Sequence, residues 1–249
     1  MLRASRHAVL IPSYNSGRLL FSTVAEALSV WPDIIVVIDG STDGSENALS
    51  LLAAAHSGLH IVKLARNRGK GAAVRSGAVR AAALGFSHIL TMDADGQHPA
   101  EAIAAFVEQS RAHPAAMILG VPVFGPDAPA LRVWGRKISN VLAAMETRRA
   151  VVDCLFGFRV YPLKDMLAVM TSSRFMTGFD FDPELAVRLS WQGVPVLNVP
   201  TNVRYLSTAQ GGISHFHYGR DNIRLGFMHL RLFMTWVWYR CRGTLPPSS

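Results

Sequence analysis

Cysteine is scarce in this chain. Its 249 residues include only Cys154 and Cys241, and neither stands in a Cys-x-x-Cys or Cys/His spacing. A disulfide-stapled fold and a zinc site of the usual spacing are therefore excluded, and a reduced, cytoplasmic setting is favoured. The basic amino terminus is followed by an apolar run of only residues 8–11 before Pro12. That run is too short for a signal peptide.

Acidic residues are scarce in the carboxyl-terminal part of the chain. After residue 203 the only acid is Asp221, and the chain as a whole has a formal charge of +8 and a pI near 10.1. Such an excess predicts attraction to polyanions, a group that includes nucleic acid, anionic lipid and phosphorylated substrates. Charge alone does not choose among these partners. The arginines of this segment are Arg204, Arg220, Arg224, Arg231, Arg240 and Arg242.

Two common nucleotide fingerprints are missing. No Gly-x-Gly-x-x-Gly follows the first apolar run, which argues against a nicotinamide-dependent oxidoreductase. The Walker A pattern is also absent, because no glycine stands five residues before Gly69 and Lys70 is followed by Gly71 rather than by Ser or Thr. Half of the residues are hydrophobic, which is enough for one large α/β domain or two small ones.

The hydrophobic pattern alternates between strand and helix. Apolar runs predict strands at 7–11, 34–38, 59–64 and 88–92, and 3.6-residue periodicity predicts helices at 16–30, 45–55 and 71–84. This order predicts an α/β fold with a doubly wound, mostly parallel sheet and right-handed crossovers. Beyond residue 100 the pattern is less regular and predicts a helix near 101–111, a strand near 117–120 and a loop over 121–129.

Polar segments follow all four predicted strands. Because ligands of open α/β sheets bind beyond the carboxyl ends of the strands, we expect these segments to meet on one rim. The segments are residues 12–15, 39–44, 66–71 and 93–98.

The last of these segments contains two carboxylates. Asp93 and Asp95 flank Ala94 directly after a strand, and hard oxygen ligands of this kind suit Mg²⁺ or Mn²⁺ bound to a diphosphate. A solvated turn that caps a helix is the alternative interpretation.

The other segments suggest contacts with a nucleotide. Asp39 can accept from a nucleobase N–H while Gly40 lets the backbone approach closely, although residues 39–44 also suit an ordinary tight turn. Lys70 stands between two glycines at a predicted helix start, where a cation and free N–H groups can hold phosphate.

Taken together, these motifs resemble the family 2 glycosyltransferases of GT-A fold, and within them the dolichol- and polyprenol-phosphate sugar transferases. The resemblance covers about the first hundred residues. Its motifs are Pro12-x-Tyr14-Asn15, Val37-Ile38-Asp39-Gly40-Ser41-Thr42-Asp43-Gly44, Asn67-x-Gly69-Lys70-Gly71 and Asp93-Ala94-Asp95-Gly96-Gln97-His98-Pro99. Two positions depart from the family pattern: Ser16 replaces a glutamate and Ile38 replaces the first aspartate of Asp-Asp-Gly-Ser.

The resemblance implies a nucleotide-sugar donor linked through UDP or GDP, a divalent metal and a lipid or lipid-phosphate acceptor. The implied donor contacts are Pro12, Tyr14, Asn15, Asp39, Gly40, Ser41, Lys70, Asp93 and Ala94. The implied metal ligands are Asp93, Asp95, Gln97 and His215, with His217 as an alternative to His215. Arg159 and Ser214 are implied to contact the acceptor or a phosphate, and Arg159 also suits an ordinary strand with an outward arginine.

A later acidic segment resembles the place where these enzymes hold an acid near the acceptor. Asp182 is the preferred general base for an inverting transfer to a hydroxyl, and Asp180 is the alternative. Asp182 could instead cap a helix beginning at Pro183. A phosphate acceptor would need no strong base.

The carboxyl-terminal segment predicts an amphipathic helix over residues 220–238. Its apolar stripe is Ile223, Phe227, Leu230, Met234 and Val237, with arginines along one edge. The pattern favours a peripheral helix at the cytoplasmic face of a membrane, and packing on the domain or on a dimer partner is the alternative. We therefore divide the chain into a catalytic domain, residues 1–215, and a basic segment, residues 216–249.

Two other functions compete with glycosyl transfer. A nucleotidyltransferase is disfavoured because Pro12 and the residues after it replace the expected Gly-rich, basic signature. A non-enzymatic nucleic-acid binder would explain the charge but not the four strand-end motifs, so we expect no nucleic-acid partner. The sugar, the nucleobase, the acceptor and the oligomeric state are not determined by the sequence.

Overall fold

The computed structural model of the chain describes residues 5–124, 130–204 and 218–242. These residues form a seven-stranded sheet flanked by α-helices on both faces. The strands are β1 His7–Ser13, β2 Ile34–Asp39, β3 Leu59–Leu64, β4 His88–Thr91, β5 Met117–Val123, β6 Arg159–Pro162 and β7 Val196–Asn202. The helices are α1 Gly17–Val30, α2 Ser45–Ala55, α3 Lys70–Ala83, α4 Ile103–Ala112, α5 Ala130–Glu146, α6 Leu163–Ser172, α7 Phe181–Trp191 and α8 Tyr218–Cys241.

The sheet is mostly parallel, as predicted. Its strand order is β3-β2-β1-β4-β6-β5-β7, and β1 to β4 run parallel to one another. Only β6 is antiparallel to its neighbours β4 and β5. Since β1 to β4 are adjacent and parallel, the loops that follow them lie on one edge of the sheet. The expectation that the four polar segments share a rim is confirmed.

The strand sequences explain why helices cover both faces of the sheet. Side chains alternate across a strand, so Leu10 and Val37 point into one apolar layer while Ile11 and Val36 point into the other. Every residue of β2 is buried. A strand that is apolar on both faces is stable only between two helical layers.

Three boundaries of the second half differ from expectation. Residues 121–123, predicted to be loop, belong to β5 and lie opposite residues 200–202 of β7. The pattern predicted a loop at Pro122 because proline is depleted in strands. Strand β6 begins only at Arg159, whereas the segment that resembles a strand of the family begins at Phe156. Helix α7 begins at Phe181, with Asp180 at its N-cap position, so Asp182 lies inside the first turn and is not its cap.

Helix α8 packs on the domain with one face and exposes another. Leu225, Met228 and Leu232 are buried in the same apolar layer as α3 and α7. On the outer face Phe227 is 67% exposed, and the predicted stripe of apolar residues lies in solvent. Among the described residues, no helix combines the length and the apolar character that crossing a membrane requires. The division of the chain at residue 215 stays a prediction.

Candidate active site

A largely buried lysine, with 14% of its side chain exposed, joins two of the predicted site carboxylates. Lys70 Nζ lies 2.7 Å from Asp93 Oδ1 and 2.8 Å from Asp182 Oδ2. We call these three residues the Lys70 cluster. Burial alone would lower the pKa of Lys70, but Asp182 and Asp93 outweigh that effect and raise it above its usual range. The cluster sits where the loop after β4, the start of α3 and the start of α7 meet.

Two glycines allow α7 to come this close to α3. A Cβ on Gly69 would collide with the carbonyl of Thr177, and a Cβ on Gly71 would collide with the carbonyl of Met176. The backbone N–H of Ala72 also donates to Thr177 O at 3.3 Å. The loop before α7 is therefore seated directly on the first turn of α3. Glycine at both flanks of the lysine is a packing requirement.

The structure distinguishes Asp182 from Asp180. Asp182 is 3% exposed; its Oδ1 is buried and has no hydrogen-bond partner among the described residues. A buried acceptor left unpaired costs free energy, and a catalytic role or a bound water or ion is a usual explanation for such an atom. Asp180 instead turns back on its own loop, where Oδ1 accepts a hydrogen bond from Gly178 N at 2.9 Å. The geometry favours Asp182, as preferred from the sequence.

Arg159 is fully buried and donates a hydrogen bond to the backbone of Asp182. Its guanidinium donates to the carbonyl of Asp182 at 2.7 Å, and also to Tyr161 Oη and to the carbonyls of Phe156 and Asp153. With 0% of its surface exposed, Arg159 is not an outward-facing strand residue. Its contacts support a positioning role, and direct contact with a substrate phosphate stays a prediction.

His98 orients the loop that carries Asp93. The backbone N–H of Asp93 donates to His98 Nδ1 at 2.9 Å, which places the ring proton on Nε2, 3.8 Å from Asp93 Oδ2. Burial lowers the pKa of His98 to about 4, although Asp93 opposes the shift. His98 is therefore neutral at pH 7. For Asp93, burial would raise the pKa, but the Lys70 ammonium outweighs burial and lowers it, so this carboxylate is ionised.

Two further predicted metal ligands, Asp95 and Gln97, lie on the same loop. Asp95 Oδ1 accepts from Gln97 N at 3.1 Å, which tightens the turn after Asp93, while Ala94 is buried. Among the residues that the structure describes, no three His, Cys, Asp or Glu side chains are grouped as a metal site. Asp93 and Asp95 fit a Mg²⁺ or Mn²⁺ ion only if the donor diphosphate and water supply the other ligands, which is the usual manner of Mg²⁺ binding at phosphates.

The loops after β1 and β2 are tied together by the residues predicted to bind the nucleotide. Asn15 N donates to Ser41 Oγ at 3.0 Å, and Asn15 Oδ1 accepts from Thr42 N at 2.8 Å. Asn15 has a φ of 46°, a left-handed conformation that asparagine tolerates. Pro12 lies within β1, opposite Val37. The two loops thus form one preorganised surface, on which Tyr14 is half-buried.

Asp39 braces the loop that precedes Lys70. Its two carboxylate oxygens accept the backbone N–H groups of Arg68 and Gly69, each at 2.8 Å. Burial raises the pKa of Asp39, and the two hydrogen bonds oppose that shift. Gly40 has a φ of 66°, and a Cβ there would meet the backbone of Arg66. A contact between Asp39 and a nucleobase stays a prediction, since both oxygens already serve this loop.

The sequence did not single out three residues that shape the site. Gly157 faces the Lys70 cluster, since a Cβ there would lie 3.0 Å from both Lys70 Nζ and Asp93 Oδ2. Thr91 Oγ1 donates to Gly157 O at 2.8 Å and fixes that backbone. The Asp153 carboxylate accepts two hydrogen bonds from Arg136, and this pair fixes the segment before Gly157. No local sequence pattern signals these roles, because Thr91 and Gly157 are 66 residues apart in the chain.

Three predicted residues fall outside the described part of the chain. These are Ser214 and His215, with the alternative ligand His217. Arg204, at the edge of this gap, forms ion pairs with Glu101 and Glu26. That arginine therefore contributes less to the basic carboxyl-terminal surface than its sequence position suggested.

Comparison of the sequence with known proteins points to glycosyltransferases. The family model for Glycosyl transferase family 2 matches residues 8–168. An undecaprenyl-phosphate mannosyltransferase of Micrococcus luteus is 25% identical over 78% of this chain and 82% of its own length. A polyprenol monophosphomannose synthase of Mycolicibacterium smegmatis is 28% identical over 78% of this chain and 76% of its own length.

Solved structures match the fold. A mannosyltransferase from Pyrobaculum calidifontis in complex with GDP-Man and Mn²⁺ gives a TM-score of 0.65 at 19% identity, covering 95% of this chain and 65% of that chain. Glucosyl-3-phosphoglycerate synthase from Mycobacterium tuberculosis, in complex with Mn²⁺ and UDP, gives 0.62 at 18% identity and covers 92% and 77%. The fold is thus that of the GT-A glycosyltransferases, as expected. Since the family model spans the sheet edge and most of the site built on it, the chain belongs to glycosyl transferase family 2.

Proposed function

We propose that this glycosyltransferase transfers a sugar, with inversion, from a UDP- or GDP-linked donor to a polyprenyl phosphate. The observation that carries the proposal is the Lys70 cluster, which puts a largely buried cation and the unpaired Asp182 Oδ1 at the carboxyl edge of the sheet. The Lys70 ammonium in this cluster is a fixed positive charge that can contact a phosphate group. The names of the curated relatives point to the same class of acceptor.

The donor diphosphate would lie between the loop of Asp93 and the first turn of α3. Asp93 and Asp95 would hold the Mg²⁺ or Mn²⁺ ion, which supplies positive charge against the departing diphosphate. Lys70 stands at the amino-terminal end of α3, where its ammonium and the helix dipole both favour phosphate oxygens. The interlocked Asn15 and Ser41 loops supply a fixed surface for the nucleoside.

The acceptor attacks the sugar from the side opposite the diphosphate. An oxygen of the lipid phosphate forms the bond to the anomeric carbon as the bond to the diphosphate oxygen breaks, and the nucleoside diphosphate leaves with the electron pair. A phosphate monoester has a second pKa of about 6, so at neutral pH the attacking oxygen carries no proton to remove. Asp182 then orients Lys70; toward a hydroxyl acceptor it would serve as the base.

Transfer of labelled sugar into an organic-soluble product tests this function directly. Purified full-length chain is incubated in detergent with undecaprenyl phosphate, Mg²⁺ or Mn²⁺ and, in turn, UDP-glucose, UDP-N-acetylglucosamine and GDP-mannose. We expect one donor to label the lipid, and we expect EDTA to abolish the labelling. Replacing undecaprenyl phosphate with undecaprenol separates the phosphate acceptor from a hydroxyl acceptor.

Isosteric variants assign the result to the site. Asp93→Asn and Asp182→Asn should each lower the transfer rate by about a hundredfold or more, since each removes a charge that the reaction uses. Glu108→Gln, a matched change at an exposed position of α4, should leave the rate unchanged. If no donor labels the lipid, or if Asp93→Asn remains as active as Glu108→Gln, the proposed function is wrong.

We further propose that the enzyme works at the cytoplasmic surface of a membrane. Helix α5 adds three exposed apolar residues, Ile138, Val141 and Met145, to the exposed stripe of its neighbour α8. The acids of these two helices, Glu146 and Asp221, are both buried. The outer surface of α5 and α8 therefore presents apolar and basic side chains without exposed acids, as expected of a surface that rests on anionic lipid. We call it the α5–α8 face.

A further inference from the structure

A cleft lies between α3, α6 and α7, and it is lined by residues other than those of the Lys70 cluster. Its volume is about 600 Å³, within the range of small-ligand sites. We call it the arginine cleft. It is lined by Arg75, Thr171, Ser172, Ser173, Arg174, Phe175 and Arg188.

The cleft is strongly basic. None of its lining residues is acidic. Within the described part of the chain, Arg75 and Arg174 form no ion pair, while Arg188 Nε is paired with Glu184 Oε1 at 2.7 Å. Glu184 is fully buried and shares its other oxygen with Arg231, so a single carboxylate serves two arginines. The cleft thus has an excess of positive charge that an anion would balance.

The lining also offers donors in the arrangement that a tetrahedral anion accepts. Arginines from α3, from α7 and from the segment after α6 line one space. A guanidinium can donate two parallel hydrogen bonds to phosphate oxygens, and Arg75 and Arg174 have no carboxylate partner among the described residues. Ser173 Oγ accepts from Phe175 N at 3.1 Å, and the structure gives its own hydroxyl proton no acceptor among the described residues. A phosphate group is therefore the ligand chemistry that suits the cleft.

The position of the cleft connects it with the α5–α8 face. Arg231 of α8 stacks on the ring of Phe175, 3.7 Å from its centroid, and Phe175 forms one wall of the cleft. The cleft therefore opens beside the arginine edge of α8. None of its residues belongs to the Lys70 cluster, and no part of the proposed transfer reaction uses them. We propose that the arginine cleft binds a phosphate monoester, carried by a lipid headgroup at the membrane or by a soluble ligand.

Paired charge-loss variants test the cleft in the full-length chain. Arg75→Gln with Arg174→Gln removes two cleft charges. Arg80→Gln with Lys164→Gln removes two exposed charges from α3 and α6, outside the cleft. Inorganic phosphate, titrated against chloride at constant ionic strength with thermal unfolding as readout, probes the soluble ligand. Vesicles of equal parts phosphatidic acid and phosphatidylcholine, compared with phosphatidylcholine alone, probe the headgroup.

The two probes separate the sources of the phosphate. We expect the cleft variant to bind at least one probe about tenfold more weakly than the control variant does. A loss with inorganic phosphate identifies a soluble ligand, and a loss confined to vesicles identifies a headgroup. Arg174→Gln alone, at an exposed position, should show a smaller loss and covers the case in which the double variant misfolds. The proposal is overturned if neither probe binds the wild type, or if cleft and control variants bind both probes equally.

Discussion

Lys70 and Asp182 are 112 residues apart in the chain, yet Lys70 Nζ donates to Asp182 Oδ2 at 2.8 Å. This contact ties the first turn of α3 to the first turn of α7, and it lies in the cluster that also contains Asp93. The ammonium lies between two carboxylates and lowers the pKa of one of them, Asp93. A single side chain therefore supports both the local packing and the charge of the proposed donor site.

Replacing Lys70 with methionine should disable the site and weaken the fold. Asp182 and Asp93 would face each other without a cation, and breaking a buried ion pair costs about 3–5 kcal/mol. We expect urea unfolding to show a loss of that order and the transfer assay to show at least a hundredfold loss. Lys164→Met, at an exposed position of α6, is the matched control. Retention of wild-type activity by Lys70→Met would remove the Lys70 cluster from the mechanism.

The first half of this site was predictable because it depends on local patterns. Runs such as residues 34–38 define buried strands, and parallel neighbours must place their following loops together. Asp39, Lys70 and Asp93 were found in this way, and all three lie on the rim that was expected.

The second half was less predictable because its contacts are long-range. Gly157 lies beside Asp93, and Thr91, which fixes it, is 66 residues away in sequence. Hydrophobic periodicity in the sequence does not predict such a contact. Helix α5 was missed for a different reason: its residues Ile138, Val141 and Met145 point outward, so its apolar pattern does not mark the core. The paired roles of Lys70 and Asp182 appear only once α3 and α7 are packed.

Gly40 should tolerate no side chain. Its φ is 66°, and a Cβ would collide with the backbone of Arg66 and Asn67 in the next loop. We expect Gly40→Ala to destabilise the protein by about 2–4 kcal/mol in urea unfolding. Gly226→Ala is a useful contrast, because a Cβ there meets nothing within 4 Å on helix α8. That variant should gain about 0.5–1 kcal/mol; equal effects at the two positions would contradict the model of the rim.

Acid should destabilise the fold through His7, far from the site. His7 stacks on His88 with ring centroids 4.6 Å apart, and its Nε2 lies 2.9 Å from Ser110 Oγ. Burial, then the charges of His88 and Arg111, lower the pKa of His7 to about 4. In the unfolded chain the pKa is near 6.5. As the pH falls from 6.5 to 4, only the unfolded state gains this proton, so stability declines through that window.

The measurement is urea unfolding at pH steps across this window. His7→Gln keeps a nitrogen or oxygen near Ser110 but cannot titrate, so it should take up about one proton fewer on unfolding than the wild type. His113→Gln, at an exposed position after α4, should leave the pH dependence unchanged. Identical pH profiles for the wild type and His7→Gln would show that His7 does not contribute.

The α5–α8 face should hold the protein on anionic vesicles. Phe227→Asp with Leu230→Asp introduces charge at two exposed positions of the face, 67% and 55% exposed, and should lower binding in a flotation assay at least about tenfold. Leu51→Asp with Val79→Asp makes the same change at exposed positions of α2 and α3, 78% and 54% exposed, and should bind like the wild type. Because all four positions are exposed, folding is unaffected, and thermal unfolding verifies this. If both double variants float as the wild type does, the membrane contact lies elsewhere.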